Sequence, residues 1–258
     1  MVTVSLITAT YNCKDVVGDC LDSVASQVCG QVQHVVVDGA STDGTAALLE
    51  ARLNQIDNYS SEPDSGIYDA LNKGISRATG DIIGFLHADD LFVDRHVLQS
   101  VAEVFSDKNV AAVYGDLVYV ARRNPNHIVR FWRAGEYDPT ALERGWMPPH
   151  PTLYLRRSIY ADLGGFDTSY KIAADYDFIL RVLPRLGRIL YLPKVLVKMR
   201  VGGASNGSLN QLFRKSQEDY RALRANRIGG LRTLARKNLS KVKQLYPLRH
   251  WLTGGRSN

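Results

Sequence analysis

The chain has 258 residues, 45% of them hydrophobic and 22% charged, with a formal net charge of +6. That make-up is typical of a folded globular protein and suits one large α/β domain with at most a short appendage. No run approaches the ~18 consecutive apolar residues of a membrane span, and Met1 to Ile7 has neither a basic region nor a cleavage site, so no signal peptide and a cytoplasmic location are expected.

Val2 to Thr8 is a β-branched apolar run that reads as a buried strand. Val16 to Gln27 has helical spacing, with Val17, Leu21, Val24 and Val28 on one face. Cys13, Cys20 and Cys29 lie in and around this segment; their spacing fits neither a zinc site nor a disulfide framework, and they read as free thiols. Val32 to Val37 is a second buried strand closed by Asp38. The turn chemistry of Gly39 to Gly44 leads into a helix over Thr45 to Leu53. A weaker strand is expected at Asn58 to Ser61, a helix at Gly66 to Ala78, a strong strand at Asp81 to Leu86, a helix at Val97 to Phe105 and a strand at Val110 to Tyr114. Strands alternating with helices predict a mostly parallel sheet with helices on both faces.

Beyond residue 115 the pattern changes. Short antiparallel strands are expected at Leu117 to Val120, Ile128 to Trp132 and Thr152 to Arg156. A helix follows at Ile172 to Leu183, then strands at Ile189 to Leu192 and Val195 to Arg200. Gly202 to Gly207 reads as a flexible link. From Gln211 to Asn258 there are 12 Lys and Arg against 2 acids, so the basicity sits in a helical tail and the body is mildly acidic. The expected organisation is a domain over 1–205, with halves at 1–115 and 116–205, and a basic tail over 206–258.

In a parallel sheet, ligands bind beyond the carboxyl ends of the strands. Thr8-Ala9-Thr10-Tyr11-Asn12, Asp38 and His87-Ala88-Asp89-Asp90 all fall there, so three segments converge on one edge. Adjacent carboxylates such as Asp89 and Asp90 repel unless compensated. A helix cap would explain them, as would Mg²⁺ or Mn²⁺ shared with a diphosphate. Asp38 suits a nucleoside contact or an Asx-turn with Ser41. Asp175 and Asp177 open a helix, where acids favour the dipole by ~0.3–1 kcal/mol; a general base is the functional alternative. His150, held between Pro149 and Pro151, could bind substrate, and Trp132, Tyr137 and Trp146 could stack on a sugar. No Walker pattern and no GxGxxG occurs, which disfavours P-loop enzymes, kinases and dehydrogenases.

Taken in order, Thr8 to Asn12, Val35 to Thr45, Ala78 to Asp81 and Phe85 to Asp90 resemble the family 2 glycosyltransferases of GT-A fold. Ser61 to Ile75 resembles the bacterial branch that builds surface polysaccharides of the colanic-acid and O-antigen type. Gly164-Gly165-Phe166-Asp167 and Ile172 to Asp177 continue the match, which spans residues 2 to 205.

The resemblance implies an inverting transfer of a sugar from a nucleoside diphosphate, UDP by family habit, to an acceptor hydroxyl on a glycan or lipid-linked oligosaccharide. Asp38 then contacts the nucleoside, with Thr8, Thr10, Tyr11, Asn12 and Ser41 around it. Asp64, Tyr68, Asn72 and Lys73 join the substrate site with His87, Asp89 and His150. Asp89 and Asp90 hold Mn²⁺ or Mg²⁺, and Asp175 is the catalytic base. The first acid of the metal motif is His87 here, the Glu before the base is Ala174, and the frequent Arg before Asn72 is Leu71, which leaves Lys73 as the phosphate candidate.

A nucleotidyltransferase makes similar demands but leaves Asp175 unexplained. Nucleic-acid binding through the tail finds no recognition module, and no nucleic-acid partner is expected. The stripe Leu231, Leu234, Ala235, Leu239, Val242 and Leu245, with basic residues beside it, predicts that 228–245 lies on an anionic membrane surface, the protein being peripheral on the inner face of the cell membrane. Packing of this helix on the domain is the alternative.

Overall fold

The computed structural model describes residues 2–202 and 209–243. The predicted link at 203–207 and the end of the predicted membrane segment lie outside the described residues.

Strand β1 (Val4–Thr10) is buried along its whole length. Its alternate side chains enter two cores: Val4 and Leu6 join one, Ile7 and Ala9 the other. A run apolar on both faces is what a central parallel strand requires. It pairs in parallel with β2 (Val32–Asp38), which pairs in parallel with β3 (Asn58–Ser61). On its other side β1 pairs in parallel with β4 (Ile82–Phe85). Helix α1 (Lys14–Ala25) buries Val17, Leu21 and Val24. Val28 lies past the end of that helix and is 39% exposed, so it is not part of the predicted face. Helices α2 (Thr45–Glu50) and α3 (Ile67–Arg77) complete this half, and α4 (Val97–Val104) follows the two-residue β5 (Leu91–Phe92).

The second half continues the same sheet. β6 (Val110–Ala121) is one strand where two were expected, and β9 (Arg188–Arg200) likewise. The reason is a shared bulge. Leu192 opposes Gly115 and Val195 opposes Asp116, so Pro193 and Lys194 loop out while the ladder carries on. β6 and β9 run parallel, whereas β7 (Asn124–Trp132) and β8 (Tyr154–Arg156) are antiparallel to β6. The full order is β3-β2-β1-β4-β8-β6-β9-β5, with β7 on β6. The short helices α5 (Pro139–Glu143) and α6 (Arg157–Leu163) had no periodic signal long enough to reveal them. Helix α7 (Ala174–Val182) is buried on nearly every side.

Helices α8 (Leu209–Ala225) and α9 (Leu231–Lys243) pack on the domain. Ala222 and Leu223 are fully buried in the core that holds Tyr176. Asp219 is buried against Lys237 at 2.7 Å, and the Lys237 ammonium lies 3.3 Å from the centroid of the Tyr176 ring. A buried charge without its partner is costly, so this pair specifies how the tail docks. The docked face of α9 carries Thr233 and Lys237, while Leu231 and Leu239 are 70% and 67% exposed. Of the apolar stripe expected from the sequence, Leu231, Ala235 and Leu239 therefore point outward, while Leu234 packs against the core. Among the described residues, no helix is long and apolar enough to cross a membrane.

Candidate active site

The ends of β1, β2 and β3 are tied by one carboxylate. Asp38 is fully buried. Its Oδ1 accepts from Thr10 Oγ1 at 2.9 Å and Ser41 Oγ at 2.5 Å, and its Oδ2 from Ser41 N–H at 2.9 Å and Ser61 Oγ at 2.8 Å. Four donors fill a carboxylate's acceptor positions, so Thr10, Asp38 and Ser41 form an internal knot. Asn12 braces it: its N–H donates to Ser41 Oγ and its Oδ1 accepts from Thr42 N–H, each at 2.9 Å. Thr8 does not reach the edge. It is fully buried two residues before the end of β1, and its Oγ1 lies 3.1 Å from His34 Nε2. What faces outward is Tyr11, 66% exposed, beside Asp64. The close approach of these loops needs Gly39, where a Cβ would lie 2.4 Å from Asp64 Oδ2 and 3.3 Å from the Tyr11 ring.

At the end of β4 the two acids part company. Asp89 is partly exposed, while Asp90 is fully buried, its Oδ1 accepting from Arg200 N–H at 3.2 Å and its Oδ2 without a partner. Burial, then repulsion from Asp89, raises the Asp90 carboxyl well above its ordinary value, against the pull of Arg200. Asp90 is thus turned inward, away from the place where a ligand would meet Asp89. Among the described residues no group of three or more His, Cys, Asp and Glu is gathered to hold a metal by itself. One carboxylate at Asp89 with the His87 imidazole nearby does fit an ion whose remaining ligands are diphosphate oxygens and water.

Asp175 opens α7, facing the strand ends. The loop before it is held by the tail: Glu218 of α8 accepts from the N–H groups of Lys171, Ile172 and Ala173 at 3.1, 2.8 and 2.9 Å. Tyr68 of α3 places its hydroxyl 2.7 Å from Ile172 O and 3.2 Å from Asp175 Oδ1. Burial alone would raise the Asp175 carboxyl, but attraction to His150, Lys215 and Lys237 outweighs it and holds the group below its ordinary value. His150 is buried, stacked 5.3 Å from Phe85, and burial pushes it down to about 4. It is therefore neutral near pH 7 and becomes charged only in the acid range where the Asp175 carboxyl itself titrates. Burial lowers His87 as well, and its ring lies 6.2 Å from His150. The site thus holds an ionised carboxylate beside two neutral imidazoles.

A model of glycosyl transferase family 2 matches residues 5–172. The chain belongs to that family. It is 32% identical over 217 residues to a PGL/p-HBAD biosynthesis glycosyltransferase of Mycobacterium bovis (strain BCG / Pasteur 1173P2), covering 82% of each chain. It is 27% identical over 223 residues to a chondroitin synthase of Pasteurella multocida, covering 84% of this chain and 22% of that one. Among solved structures it resembles S. aureus TarS 1–349 in complex with UDP-GlcNAc, with TM-score 0.69, 19% identity and coverage of 87% of this chain and 65% of that one. A mannosyltransferase from Pyrobaculum calidifontis in complex with GDP-Man and Mn²⁺ gives TM-score 0.64, 23% identity and coverage of 97% and 71%. The fold is GT-A.

In this glycosyltransferase, Tyr68, His87, His150 and Asp175 line one cleft of about 660 Å³. Trp132 and Trp146 line it too; Tyr137 packs behind Trp146, with ring centroids 5.8 Å apart. Thr8, Thr10, Tyr11, Asn12, Asp38, Ser41, Asp64, Asp89 and Asp90 do not line this cleft, and neither do Asn72 and Lys73. The Asn72 amide is spent on Phe166, donating to its carbonyl and accepting from its N–H, each at 2.8 Å. Gly165 is required there, since a Cβ would lie 2.3 Å from Asn72 Oδ1. Lys73 turns to the outer face of α3, donating to Pro63 O at 2.8 Å near Glu62 and Asp69. The charged cleft residues missed in the sequence are Arg130, Arg133, Arg144 and Lys171, together with Lys215 and Lys237, which the sequence offers only as tail charge.

Proposed function

We propose that this enzyme transfers a sugar, with inversion, from a nucleoside diphosphate to an acceptor hydroxyl, with Asp175 as general base. UDP is the first nucleotide to test, and a lipid-linked oligosaccharide of a bacterial surface polysaccharide is the intended acceptor class. The observation that carries this reading is that Asp175, among the described residues, is the single carboxylate lining the cleft, and that it is held ionised beside two neutral histidines. Asp175 takes the proton of the acceptor hydroxyl as its oxygen attacks the anomeric carbon, and the bond to the diphosphate breaks on the opposite side. The leaving diphosphate keeps the electron pair. Family membership replaces the nucleotidyltransferase alternative.

The nucleoside end lies at Tyr11 and Asp64. The exposed Tyr11 ring offers a stacking face, and Asp64 has one oxygen, Oδ1, accepting from Gly66 N–H at 2.8 Å. The other can accept from a base N–H. Asp38 acts one step back, by shaping the loops that present both residues. His87 and Asp89 would hold Mn²⁺ or Mg²⁺ together with the donor. A divalent ion bound there would stabilise the charge growing on the leaving diphosphate.

The outward face of α9, with Leu231, Ala235 and Leu239 beside Arg232 and Arg236, supports attachment to an anionic membrane surface. The function itself is tested by screening labelled UDP-, GDP- and dTDP-sugars for transfer or hydrolysis, with and without Mn²⁺. Release of sugar from one nucleotide class supports it, and inertness toward all of them contradicts it.

A further inference from the structure

The chain from His87 to Leu98 is held from one side by α1. Cys20 and Ser23 of that helix, and Gln27 just past its end, all reach it. Ser23 Oγ accepts from Phe92 N–H at 2.8 Å, and Gln27 donates to Asp94 O at 2.7 Å and accepts from Leu98 N–H at 3.1 Å. From Phe92 onward the ties are thus ordinary hydrogen bonds. At the turn from His87 to Asp90 the helix supplies a thiol, Cys20 Sγ at 3.5 Å from His87 O, which is a weak donor. Arg200, the last residue of β9, provides what is missing there. Its Nη1 donates to Asp89 O at 3.1 Å, its Nη2 pairs with Asp19 of α1, and its own N–H donates to Asp90 Oδ1 at 3.2 Å. One residue joins a strand, a helix and both members of the acidic pair.

This placement works against stability. Arg200 is 4% exposed, and its Nε is buried with no partner. A guanidinium taken out of water with a donor unmet contributes less to a fold than a well-packed apolar side chain of similar size. We infer that Arg200 is a positioning residue for the donor-side cation: it fixes the backbone of Asp89, so that the Asp89 carboxylate stays aimed at the ion. The inference rests on the reading of Asp89 as a metal ligand given above. Both Nη groups of Arg200 are engaged, on Asp89 O and on Asp19, so Arg200 acts through Asp89 and not on the ion. The hydrogen bond from Asp90 N–H to His87 O at 2.9 Å closes the turn but does not tie it to its surroundings. The planar fork of Arg200 does, because the angle between its donors is rigid.

The test is Mn²⁺ binding to the full chain in the presence of UDP, followed by electron paramagnetic resonance, with UDP binding in EDTA measured alongside by calorimetry. Asp89→Ala sets the reference for loss of the ligand itself. Arg200→Met should weaken Mn²⁺ binding about 10- to 100-fold, the usual effect of losing a group that orients a metal ligand. It should leave UDP binding in EDTA at the wild-type value. Arg200→Lys keeps the charge beside Asp19 but loses the fork, and should fall between the two. If the melting curve shows that Arg200→Met does not fold, Asp19→Asn takes its place. The Asp19 side chain is 59% exposed, so this change loosens the guanidinium without emptying the core, and it should weaken Mn²⁺ binding several-fold. Wild-type Mn²⁺ affinity in the variant used, with loss in Asp89→Ala, overturns this inference alone. Equal loss of Mn²⁺ binding and of UDP binding in EDTA marks a general defect and also overturns it. Undiminished Mn²⁺ binding by Asp89→Ala, or none by the wild type, overturns the metal reading and this inference with it.

Discussion

The hydroxyl of Tyr68 lies 3.2 Å from Asp175 Oδ1, so a residue on α3 supports the carboxylate proposed as base at the start of α7. The same hydroxyl lies 2.7 Å from Ile172 O, and its single proton is shared between the two acceptors. Tyr68→Phe removes that donor. The loss of one hydrogen bond to a charged group should lower kcat by roughly 3- to 30-fold. A hydrogen bond to a carboxylate favours its charged form. Wild-type activity should hold down to about pH 4, where His150 takes its proton, because the Asp175 carboxyl is held below its ordinary value. In Tyr68→Phe the acid limb should move to higher pH. A pH–rate profile of both forms checks the sign.

Glu218 is a positioning residue for that base. Glu218→Ala leaves three N–H groups of the loop before Asp175 without their acceptor. It should lower kcat while the donor KM stays near wild type, since it acts on the base side of the cleft. Glu218→Gln keeps one acceptor oxygen and should restore part of the loss. Steady-state kinetics on the three forms distinguishes this from general destabilisation, which would scale activity with the folded fraction.

Asp38 and Asp64 should separate into fold and binding. Asp38→Ala strands the buried hydroxyl of Thr10, at a cost of ~1–3 kcal/mol for a buried donor left unpaired, and should lower Tm. Asp64→Ala should leave Tm nearly unchanged and weaken UDP binding by about 10-fold, one hydrogen bond to a buried base edge. Calorimetry with UDP and melting curves on both variants read the two effects independently.

The strand ends were legible because each apolar run closes on an acid: Asp38 after Val37, Asp89 after Leu86 and the two residues that follow it. The roles within each end were not. Asp38 was read as a nucleoside contact, yet its donors Thr10 and Ser61 lie on neighbouring strands and only pairing brings them near. On α3 the helical period itself separates the residues: Tyr68 and Asn72 face the domain, while Asp69, Lys73 and Arg77 share the outer face. The tail's charge and apolar stripe fit either a membrane surface or packing on the domain. Its contacts to the domain depend on pairs as distant as Asn226 with Asp177 and Thr233 with Glu143, for which local pattern carries no signal.

Membrane attachment through α9 is tested without truncation, because removing α8 would also remove Glu218. Sedimentation with anionic liposomes should carry down the whole chain at low salt. Arg232→Glu with Arg236→Glu should stay in the supernatant, each basic residue near an anionic surface contributing ~1 kcal/mol. Equal sedimentation of both forms, or of neither, contradicts a membrane role for this face.

Asp175→Asn is the most direct test of the chemistry. The substitution preserves shape and removes proton acceptance, and sugar transfer is measured with the donor identified by screening. Transfer should fall by ~10²–10⁴, the usual contribution of a general base, with donor affinity nearly unchanged. Transfer at the wild-type rate would contradict Asp175 as the base and move that role to another group in the cleft.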